Sequence, residues 1–561
     1  MSHTDLADVY VRRRFTTNPG SSVAASESTA PTQAETLLEL ARDAELFHTP
    51  EGREYATVRL NGHRETWAIG QKGLELWLGK RFFELEQKPP GKQALDGALD
   101  ILRGRARFDG EERRVFVRLG HGDNEALYLD RGTSEWDAVK VTAAGWEIVA
   151  EAPVRFRRPN GLGPLPVPER GGSIEDLRGF INMQDDDQWV LLCGWMVAAL
   201  WPSGPYPILV IEGEQGSAKS GLARVLRGLL DPCTVPLGST PRDERDLMIA
   251  ATNSLLVSYD NLSVISHWLS DALCRLSTGG GMRTRGLYTD DEEIIFDAQR
   301  PVILTGIANL CERDDLRDRA LVLTLSEIPE SARRSEAELA EAFRPAPHSR
   351  CATGRPRDGN ASDPIHPSRT VPRMADFARL ATAAEPGLGL QAGDFLQACD
   401  KSRVEAIEAS LDLNPVATAL LGIATPEGWT GTASELLRTL TDSVTEQVSK
   451  SKEWPKTATT LSRELTRIQP ALRKAGIGIV RPPRKGHGRT RLLQVRRADA
   501  PEDGGSFDAA EKLVEASAAN TQSPNAFERS ESVARGADAP VPLFTTNKDD
   551  EQGDAWEGEA A

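Results

Sequence analysis

The chain has 561 residues, which is enough for several domains that each bury their own core. Its formal net charge is −16, so the molecule as a whole is not a polycation, although its charge is unevenly distributed. The six cysteines include no CxxC pair, which argues against a disulfide scaffold or a zinc ribbon and predicts a reducing cytoplasm. The longest apolar run, Trp189 to Trp201, is shorter than the roughly 18 residues of a membrane span, so no membrane association is predicted.

Composition divides the first third of the chain into a tail, a domain and a linker. Residues 1–32 are rich in Ser, Thr and Ala, which predicts a disordered tail. Residues 33–153 are predicted to form a mixed α+β domain, because helical periods flank a hairpin signal at Asn61-Gly62. Residues 154–172 are rich in Pro, Arg and Gly and predict a linker to the next domain, at 173–343.

The stretch from Pro207 to Leu226, PILVIEGEQGSAKSGLARVL, reads as a buried strand, a loop of small residues and an amphipathic helix. This order and the Lys-Ser pair are typical of a phosphate-binding loop. Glycines permit backbone angles that direct N–H groups toward a phosphate, and the following helix N-terminus adds partial positive charge. The residues predicted to bind ATP are Gly213, Glu214, Gln215, Gly216, Ser217, Ala218, Lys219 and Ser220.

Two residues of this loop carry its chemistry. Lys219 is expected to reach the β- and γ-phosphates, and Ser220 is expected to bind Mg²⁺. The residue before the lysine is Ala218 rather than glycine, which we expect to be tolerated at some cost in loop freedom. The alternative, a chance glycine-rich turn, is disfavoured by the flanking strand and helix.

Two later apolar strands end in polar residues. Ser254 to Tyr259 precedes Asp260 and Asn261, and Pro301 to Ile307 contains Thr305. An aspartate at the end of a buried strand is where nucleotide enzymes hold Mg²⁺, although Asp-Asn also suits an ordinary turn. Short strands that alternate with helices predict a parallel sheet with helices on its faces.

A glycine-rich segment lies between these two strands. It carries three consecutive glycines followed by Arg283, Arg285 and Tyr288, and then an acidic run at 290–293. Such a segment predicts a mobile basic hairpin suited to a single-stranded backbone. A plain glycine-rich surface turn is the alternative.

The motifs GEQGSAKS, LLVSYDN, LSTGGGMRTRGLYTDDEE, RPVILTGI and LRDRALVLTL follow one another in this order. Together they resemble the ATPase module of superfamily III helicases, in the branch of phage and mobile-element primase-helicases and related bacterial ATP-binding proteins. The resemblance is strongest over residues 173–328. It implies an AAA+-like core that works as a homo-oligomeric ring, usually a hexamer, on single-stranded DNA.

The resemblance also implies roles for individual residues. Lys219 and Ser220 match the Walker A pair, and Asp260 matches the Walker B aspartate that shares the Mg²⁺. Thr305 falls at the sensor-1 position, and Arg319 falls where an arginine finger completes a neighbouring subunit's site.

Two of the matched positions depart from the family pattern. Asn261 stands where a second, catalytic carboxylate is usual, and Thr305 replaces the usual asparagine. With these two departures, the sequence predicts ATP binding more firmly than it predicts rapid hydrolysis. They keep open an alternative function, that of an ATP-binding, DNA-associated regulator or switch with little or no hydrolysis.

The C-terminal third begins with a break in the pattern. Residues 344–373 lack apolar periodicity, and residues 374–425 read as helical. We interpret the break as the product of a compensated pair of frameshifts; a natural flexible insert is the alternative. Residues 498–561 are polar and acidic, which predicts a second disordered tail.

Residues 426–497 predict a winged-helix-like domain, because two helices are followed by a hairpin with a basic tip at Pro482 to Gly488. Such a local basic excess indicates DNA binding, although winged helices also bind proteins and charge runs are often merely solvated. The basic residues are Lys450, Lys452, Lys456, Arg463, Arg467, Arg473, Lys474, Arg481, Arg484, Lys485, Arg489, Arg491, Arg496 and Arg497.

The sequence therefore predicts a multidomain α+β protein around an AAA+-like α/β P-loop ATPase. Its predicted function is that of an ATP-dependent DNA helicase or translocase in the replication of a phage or mobile element, with ATP and Mg²⁺ as ligands. The N-terminal part shows no cluster of metal-binding acids, so any priming would need a partner primase.

Overall fold

The computed structural model describes residues 31–497, apart from 123–124, 286–292, 297, 308–309, 312, 336–337, 339–373, 413 and 482–490. The chain divides into two compact units. Unit 1 comprises Met1–Gly422 and Leu440–Lys456, and unit 2 comprises Ile423–Thr439 and Thr457–Ala561. Residues 1–30 of the first predicted tail (1–32) and all of the second (498–561) lie outside the described residues, and so do residues 344–373, to which the frameshift hypothesis applies.

The N-terminal part of unit 1 begins with a mixed four-stranded sheet that is covered by three helices. Its elements are α1 (Gln33–Leu40), β1 (Glu45–His48), β2 (Glu54–Leu60), β3 (His63–Ala68), α2 (Lys72–Glu86), α3 (Lys92–Phe108) and β4 (Glu111–Glu112). The strands lie in the order β3-β2-β1-β4, and β2 and β3 form the predicted hairpin. Its two turn residues have positive φ, 48° at Asn61 and 91° at Gly62, as expected for a tight hairpin turn.

A second, antiparallel sheet follows in the order β6-β7-β8-β9. The elements of this region are β5 (Val115–Phe116), β6 (Leu119–His121), β7 (Leu127–Asp130), β8 (Ala138–Thr142), β9 (Gly145–Val149) and β10 (Arg155–Phe156). Strands β5 to β9 lie within the mixed α+β domain predicted for residues 33–153.

The start of the predicted linker packs against both neighbouring parts of unit 1. Strand β10 pairs in parallel with β5, and Arg155 forms an ion pair with Glu45 (2.8 Å). Arg157 donates a hydrogen bond to the Asn253 side chain (3.0 Å) in the following part. Residues 155–158 are therefore held by specific contacts despite their linker-like composition.

The central part of unit 1 is built on a parallel sheet, as predicted. After a 3₁₀ helix (Ile174–Phe180), its elements are α4 (Asp186–Ala199), β11 (Ile208–Gly213), α5 (Lys219–Leu230), α6 (Glu244–Thr252), β12 (Val257–Leu262), α7 (His267–Thr278), β13 (Met282–Arg285), β14 (Glu293–Phe296), β15 (Val302–Gly306), α8 (Asp314–Arg317) and β16 (Ala320–Leu325). The sheet has the order β12-β15-β11-β16, and every neighbouring pair is parallel. Because β15 lies between β11 and β12, the C-terminal ends of these three strands meet at one edge of the sheet.

Helices cover this sheet. Helix α4 is the buried apolar helix that the sequence predicts, and Trp189 and Trp195 are each about 1% exposed within its core. It packs against α9 (Ala375–Leu388) and α10 (Asp394–Asp412), which are followed by α11 (Pro415–Ile423). Among the described residues, no helix is long and apolar enough to cross a membrane.

Unit 2 contains a three-stranded antiparallel sheet and one long helix. Its elements are β17 (Trp429–Thr432), the start of α12 (Ala433–Ser443), α14 (Ala458–Lys474), β18 (Ile477–Val480) and β19 (Leu492–Arg497), while α13 (Glu446–Lys450) belongs to unit 1. The strands lie in the order β17-β19-β18. Strands β18 and β19 form the predicted hairpin. Strand β17 is an addition to the prediction, and three helices rather than two precede the hairpin.

Candidate nucleotide and nucleic-acid sites

The phosphate-binding loop leaves the C-terminal end of β11 in a conformation that requires glycine. Gly213 has a φ of 151°, and its N–H group donates to the Ile307 carbonyl (3.2 Å). A Cβ atom at this position would lie 2.5 Å from the Leu325 carbonyl oxygen. Any side chain would therefore clash with backbone, and the loop can start only at a glycine.

The Lys219 side chain folds back over the loop. Its Nζ atom donates hydrogen bonds to the carbonyl oxygens of Gly213 (2.9 Å) and Glu214 (2.7 Å). Partial burial lowers the pKa of this ammonium, and the negative charge of Asp260 opposes that shift. The lysine side chain thus spans the loop, and two loop carbonyls hold its ammonium group.

Ala218 occupies a backbone conformation that favours glycine. Its φ is 64° and its ψ is 30°, and it is the residue immediately before helix α5. A left-handed conformation costs a residue with a Cβ roughly 1–2 kcal/mol. The predicted cost of having alanine instead of glycine therefore comes from the left-handed backbone conformation at this position.

A β-bulge presents Asp260 to the loop. In the β12–β15 pairing, Tyr259 faces Leu304 and Leu262 faces Gly306, so two residues of β12 lie opposite Thr305 alone. The second of them, Asn261, has a φ of 56°. Bulges of this kind redirect a side chain at the end of a strand.

The redirected Asp260 carboxylate contacts both predicted partners. Its Oδ1 atom accepts a hydrogen bond from the Ser220 hydroxyl (2.8 Å) and another from the Thr305 hydroxyl. Thr305 Oγ1 also accepts from the Asn261 backbone N–H (3.0 Å) and is almost fully buried. The three predicted residues Ser220, Asp260 and Thr305 therefore form one hydrogen-bonded cluster beside Lys219.

The oxygen atoms of this cluster suit a hard divalent cation. Ser220 supplies a hydroxyl and Asp260 a carboxylate, which are ligand types that Mg²⁺ prefers, together with water and phosphate oxygens. The described residues contain no group of three or more His, Cys, Asp or Glu side chains arranged to hold a metal by themselves. Any Mg²⁺ here would therefore depend on a bound phosphate for further ligands.

Arg319 lies at the opposite edge of the sheet. Its carbonyl accepts a hydrogen bond from the N–H of Ile208 (2.9 Å), the first residue of β11, and its Nη1 donates to the Asp315 carbonyl (2.8 Å). A six-residue strand separates this edge from the loop by about 20 Å. The chain does not bring Arg319 to its own loop, so the implied role in a neighbouring subunit stays a prediction.

Two residues near the loop were not found from the sequence. Asn182 donates through Nδ2 to the carbonyls of Ser217 (3.2 Å) and Ser326 (2.6 Å), and Arg333 lies over the loop apex at Gly216. Neither belongs to a local motif. Asn182 and Arg333 come close to the loop because the segments before α4 and after β16 fold against it, and no short sequence pattern encodes this folding.

The predicted nucleic-acid contacts are only partly described. Strands β13 and β14 pair as an antiparallel hairpin, as predicted, while its Tyr288 and residues 290–292 lie outside the described residues. In unit 2, exposed basic side chains occur on α14 and β19 and between the strands. Those with described side chains are Arg463, Arg467, Arg473, Arg481, Arg491, Arg496 and Arg497; Arg484, Lys485 and Arg489 lie outside the described part.

Comparison with solved structures gives weak similarity. The apo structure of the NrS-1 C-terminal region (305–718) matches at 12% identity and a TM-score of 0.38, over 84% of this chain and all of that one. The A form of the apo structure of the same region matches at 12% identity and 0.38, over 82% and 99% of the two chains. Scores this low support no argument. The comparison with curated proteins found no match.

Two family models match the chain in consecutive regions. The model of the actinomycete integrative conjugative element replication protein matches residues 174–403, which contain the whole phosphate-loop cluster. The model of the C-terminal domain of the same replication proteins matches residues 416–512. These matches support the mobile-element context of the sequence resemblance and do not support superfamily III. They cover 230 and 97 residues, together more than half of the chain, which therefore belongs to the replication proteins of mobile elements.

Proposed function

We propose that this replication protein is an ATP-dependent DNA motor of the helicase or translocase kind, with an AAA+-like ATPase core. The observation that carries the proposal is the meeting of Lys219, Ser220, Asp260 and Thr305 at the C-terminal edge of three neighbouring parallel strands. Phosphate-binding nucleotide sites of α/β proteins form at this edge.

Each residue has a defined task in the proposed site. The loop amides and the N-terminus of α5 bind the phosphates, and Lys219 neutralises their charge. Ser220 and Asp260 hold Mg²⁺, which supplies electrostatic stabilisation to the phosphate oxygens when it is bound. Thr305 holds the Asp260 carboxylate in place. The DNA partner is proposed to contact the β13–β14 hairpin and the basic surface of unit 2.

A second function, a nucleotide-dependent switch with little turnover, is favoured by two specific observations. Position 261 offers an amide rather than a carboxylate, and the described residues place no other acid in the hydrogen-bonded cluster. The Thr305 hydroxyl donates its single proton to Asp260, so it cannot also donate one to an attacking water. Both features slow hydrolysis without weakening binding.

The test of nucleotide binding compares Lys219→Ala with Lys80→Ala in the full chain. Lys80 is an exposed residue of α2 whose only described ion pair is with Glu84 in the same helix. Loss of a charge-assisted contact to phosphate should weaken ATP binding at least about tenfold in Lys219→Ala and not in Lys80→Ala. Equal affinity of the two variants, measured by calorimetry, would refute the phosphate-loop assignment.

The test of turnover measures ATP hydrolysis by the full chain with and without single-stranded DNA. Strong stimulation by DNA supports the motor. Tight ATP binding with negligible hydrolysis under both conditions supports the switch.

A further inference from the structure

The segment after β16 folds back onto the apex of the phosphate loop. The Ile328 N–H group donates to the Gly216 carbonyl (3.4 Å). On the other side of the same segment, Asn182 connects the carbonyls of Ser217 and Ser326 through its Nδ2 atom (3.2 and 2.6 Å). Two separate connections thus hold residues 326–328 against the loop.

This segment carries a guanidinium group to the loop apex. A Cβ atom built on Gly216 would lie 3.1 Å from Arg333 Nη2 and 3.5 Å from Arg333 Cζ. Gly216 has a φ of 89°, a conformation that favours glycine, and the absence of a side chain lets the arginine approach the backbone closely. The guanidinium group therefore lies within a few ångström of the loop backbone at Gly216.

The present partners of Arg333 are exposed carboxylates. Its Nη2 donates to Glu327 (3.1 Å), its Nε donates to the Ile328 carbonyl (3.1 Å), and its Nη1 lies 4.0 Å from Glu330. The Glu330 side chain is 91% exposed, and ion pairs between exposed groups contribute little. A guanidinium has five N–H donors, so a phosphate can replace these partners at small cost.

We propose that Arg333 binds a phosphate oxygen of the nucleotide held by the loop, and that it leaves Glu327 and Glu330 when the nucleotide enters. The inference rests on the proposed function, since it requires a nucleotide in the Gly213–Ser220 loop. Glu327 and Glu330 act as weak internal competitors that keep the arginine near the apex before binding. Arg333 is then a substrate-binding residue supplied by the same chain as the loop.

The experiment compares the affinities of the wild-type full chain, Arg333→Gln, Arg333→Lys and Arg334→Gln for ATP and ADP with Mg²⁺. Arg334→Gln is the matched control, because it removes the same charge from the adjacent, exposed residue. We expect about tenfold weaker binding and a shallower salt dependence for Arg333→Gln, an intermediate affinity for Arg333→Lys, and no change for Arg334→Gln. A loss for ATP alone assigns the γ-phosphate, and an equal loss for ADP assigns the α- or β-phosphate.

A second variant separates binding from loop structure. Glu327→Gln removes a competitor and should tighten ATP binding severalfold, whereas a purely structural ion pair would loosen the loop and weaken binding. The inference is overturned if Arg333→Gln and Arg334→Gln bind alike, or if Glu327→Gln weakens binding. If the wild-type chain does not bind ATP, or Lys219→Ala binds equally well, the proposed function fails and this inference fails with it.

Discussion

At the scale of single residues, the Thr305 hydroxyl joins two strand ends. It donates to the Asp260 carboxylate on β12 and accepts from the backbone N–H of Asn261, the positive-φ residue of the bulge. Thr305 is about 1% exposed, so this hydroxyl itself is shielded from bulk water. The position of the proposed Mg²⁺-binding carboxylate therefore depends on two hydroxyls, the buried one of Thr305 and that of Ser220.

Replacement of that hydroxyl should weaken Mg²⁺-dependent nucleotide binding. Thr305→Val keeps the shape of the side chain, removes both hydrogen bonds and leaves the Asn261 N–H without this acceptor, which should lower the affinity for ATP with Mg²⁺ about tenfold. Thr305→Ser keeps the hydroxyl and is the control, expected within about threefold of wild type because it loses only a methyl group. Equal affinities of the Val and Ser variants would show that the hydroxyl does not position Asp260.

The site residues that could be predicted from the sequence are those that belong to a short local motif. Lys219 and Ser220 are encoded within eight consecutive residues, and Asp260 follows directly from a buried apolar run. Asn182 and Arg333 reach the loop from segments about 35 residues before and about 115 residues after it, so only tertiary structure brings them there. The left-handed conformation of Ala218 likewise is not encoded in its residue type, because alanine disfavours it.

At the scale of elements, a buried ion pair connects the N-terminal part of unit 1 to the phosphate-loop helix. Arg118 donates to Asp231 (3.0 Å), the residue after α5, and to the carbonyls of Asp130, Gly163 and Pro232. Asp231 also accepts the backbone N–H groups of the two residues before β12, Leu255 and Leu256 (2.9 and 3.2 Å). The Asp231 carboxylate thus connects helix α5, which contains Ser220, with strand β12, which contains Asp260. Through Arg118 it also connects both elements with the N-terminal part of unit 1.

Removal of the arginine should destabilise unit 1. Arg118→Ala leaves Asp231 buried without its main cation, since both side chains are almost fully buried, and loss of one partner of such a pair costs about 3–5 kcal/mol. Burial lowers the pKa of Arg118, and the negative charge of Asp231 opposes that shift. The control is Arg42→Ala, because the ion pair of Arg42 with Glu39 is exposed and contributes less than about 1 kcal/mol. Equal urea midpoints for the first unfolding transition of both variants would contradict the prediction.

Among the elements, the central strands were predictable and several peripheral ones were not. Strands β11 and β15 carry continuous buried apolar runs, Ile208–Ile211 and Val302–Leu304, because helices cover both faces of a parallel sheet, and a similar run at Leu255–Val257 leads into β12. Strand β17, Trp-Thr-Gly-Thr, has no such run, and its register depends on pairing with the distant β19. The arginines at 155–158 resembled a linker because their partners, such as Glu45 and Asn253, are remote in sequence.

At the scale of the whole molecule, the charge is segregated along the chain. The net charge is −16, yet residues 457–497 of unit 2 contain 11 Lys and Arg against the single acid Glu464. Because exposed charges more than a Debye length of about 8–10 Å apart are largely screened at physiological salt, DNA responds to the nearby basic residues more than to the net charge. An acidic protein can therefore bind DNA through unit 2.

Neutralisation of exposed basic residues of unit 2 tests this directly. The triple variant Arg463→Gln, Arg496→Gln and Arg497→Gln keeps the folded core, because all three side chains are exposed on α14 and β19. If all three contact phosphates, the slope of log K against log salt concentration should fall by about 2–3 for the full chain, and affinity at low salt should fall accordingly. A control triple of exposed basic residues in unit 1, Arg42→Gln, Lys80→Gln and Arg105→Gln, changes the net charge equally and should leave the slope unchanged. The same loss in both triples would mean that DNA responds to total charge and that unit 2 provides no specific surface.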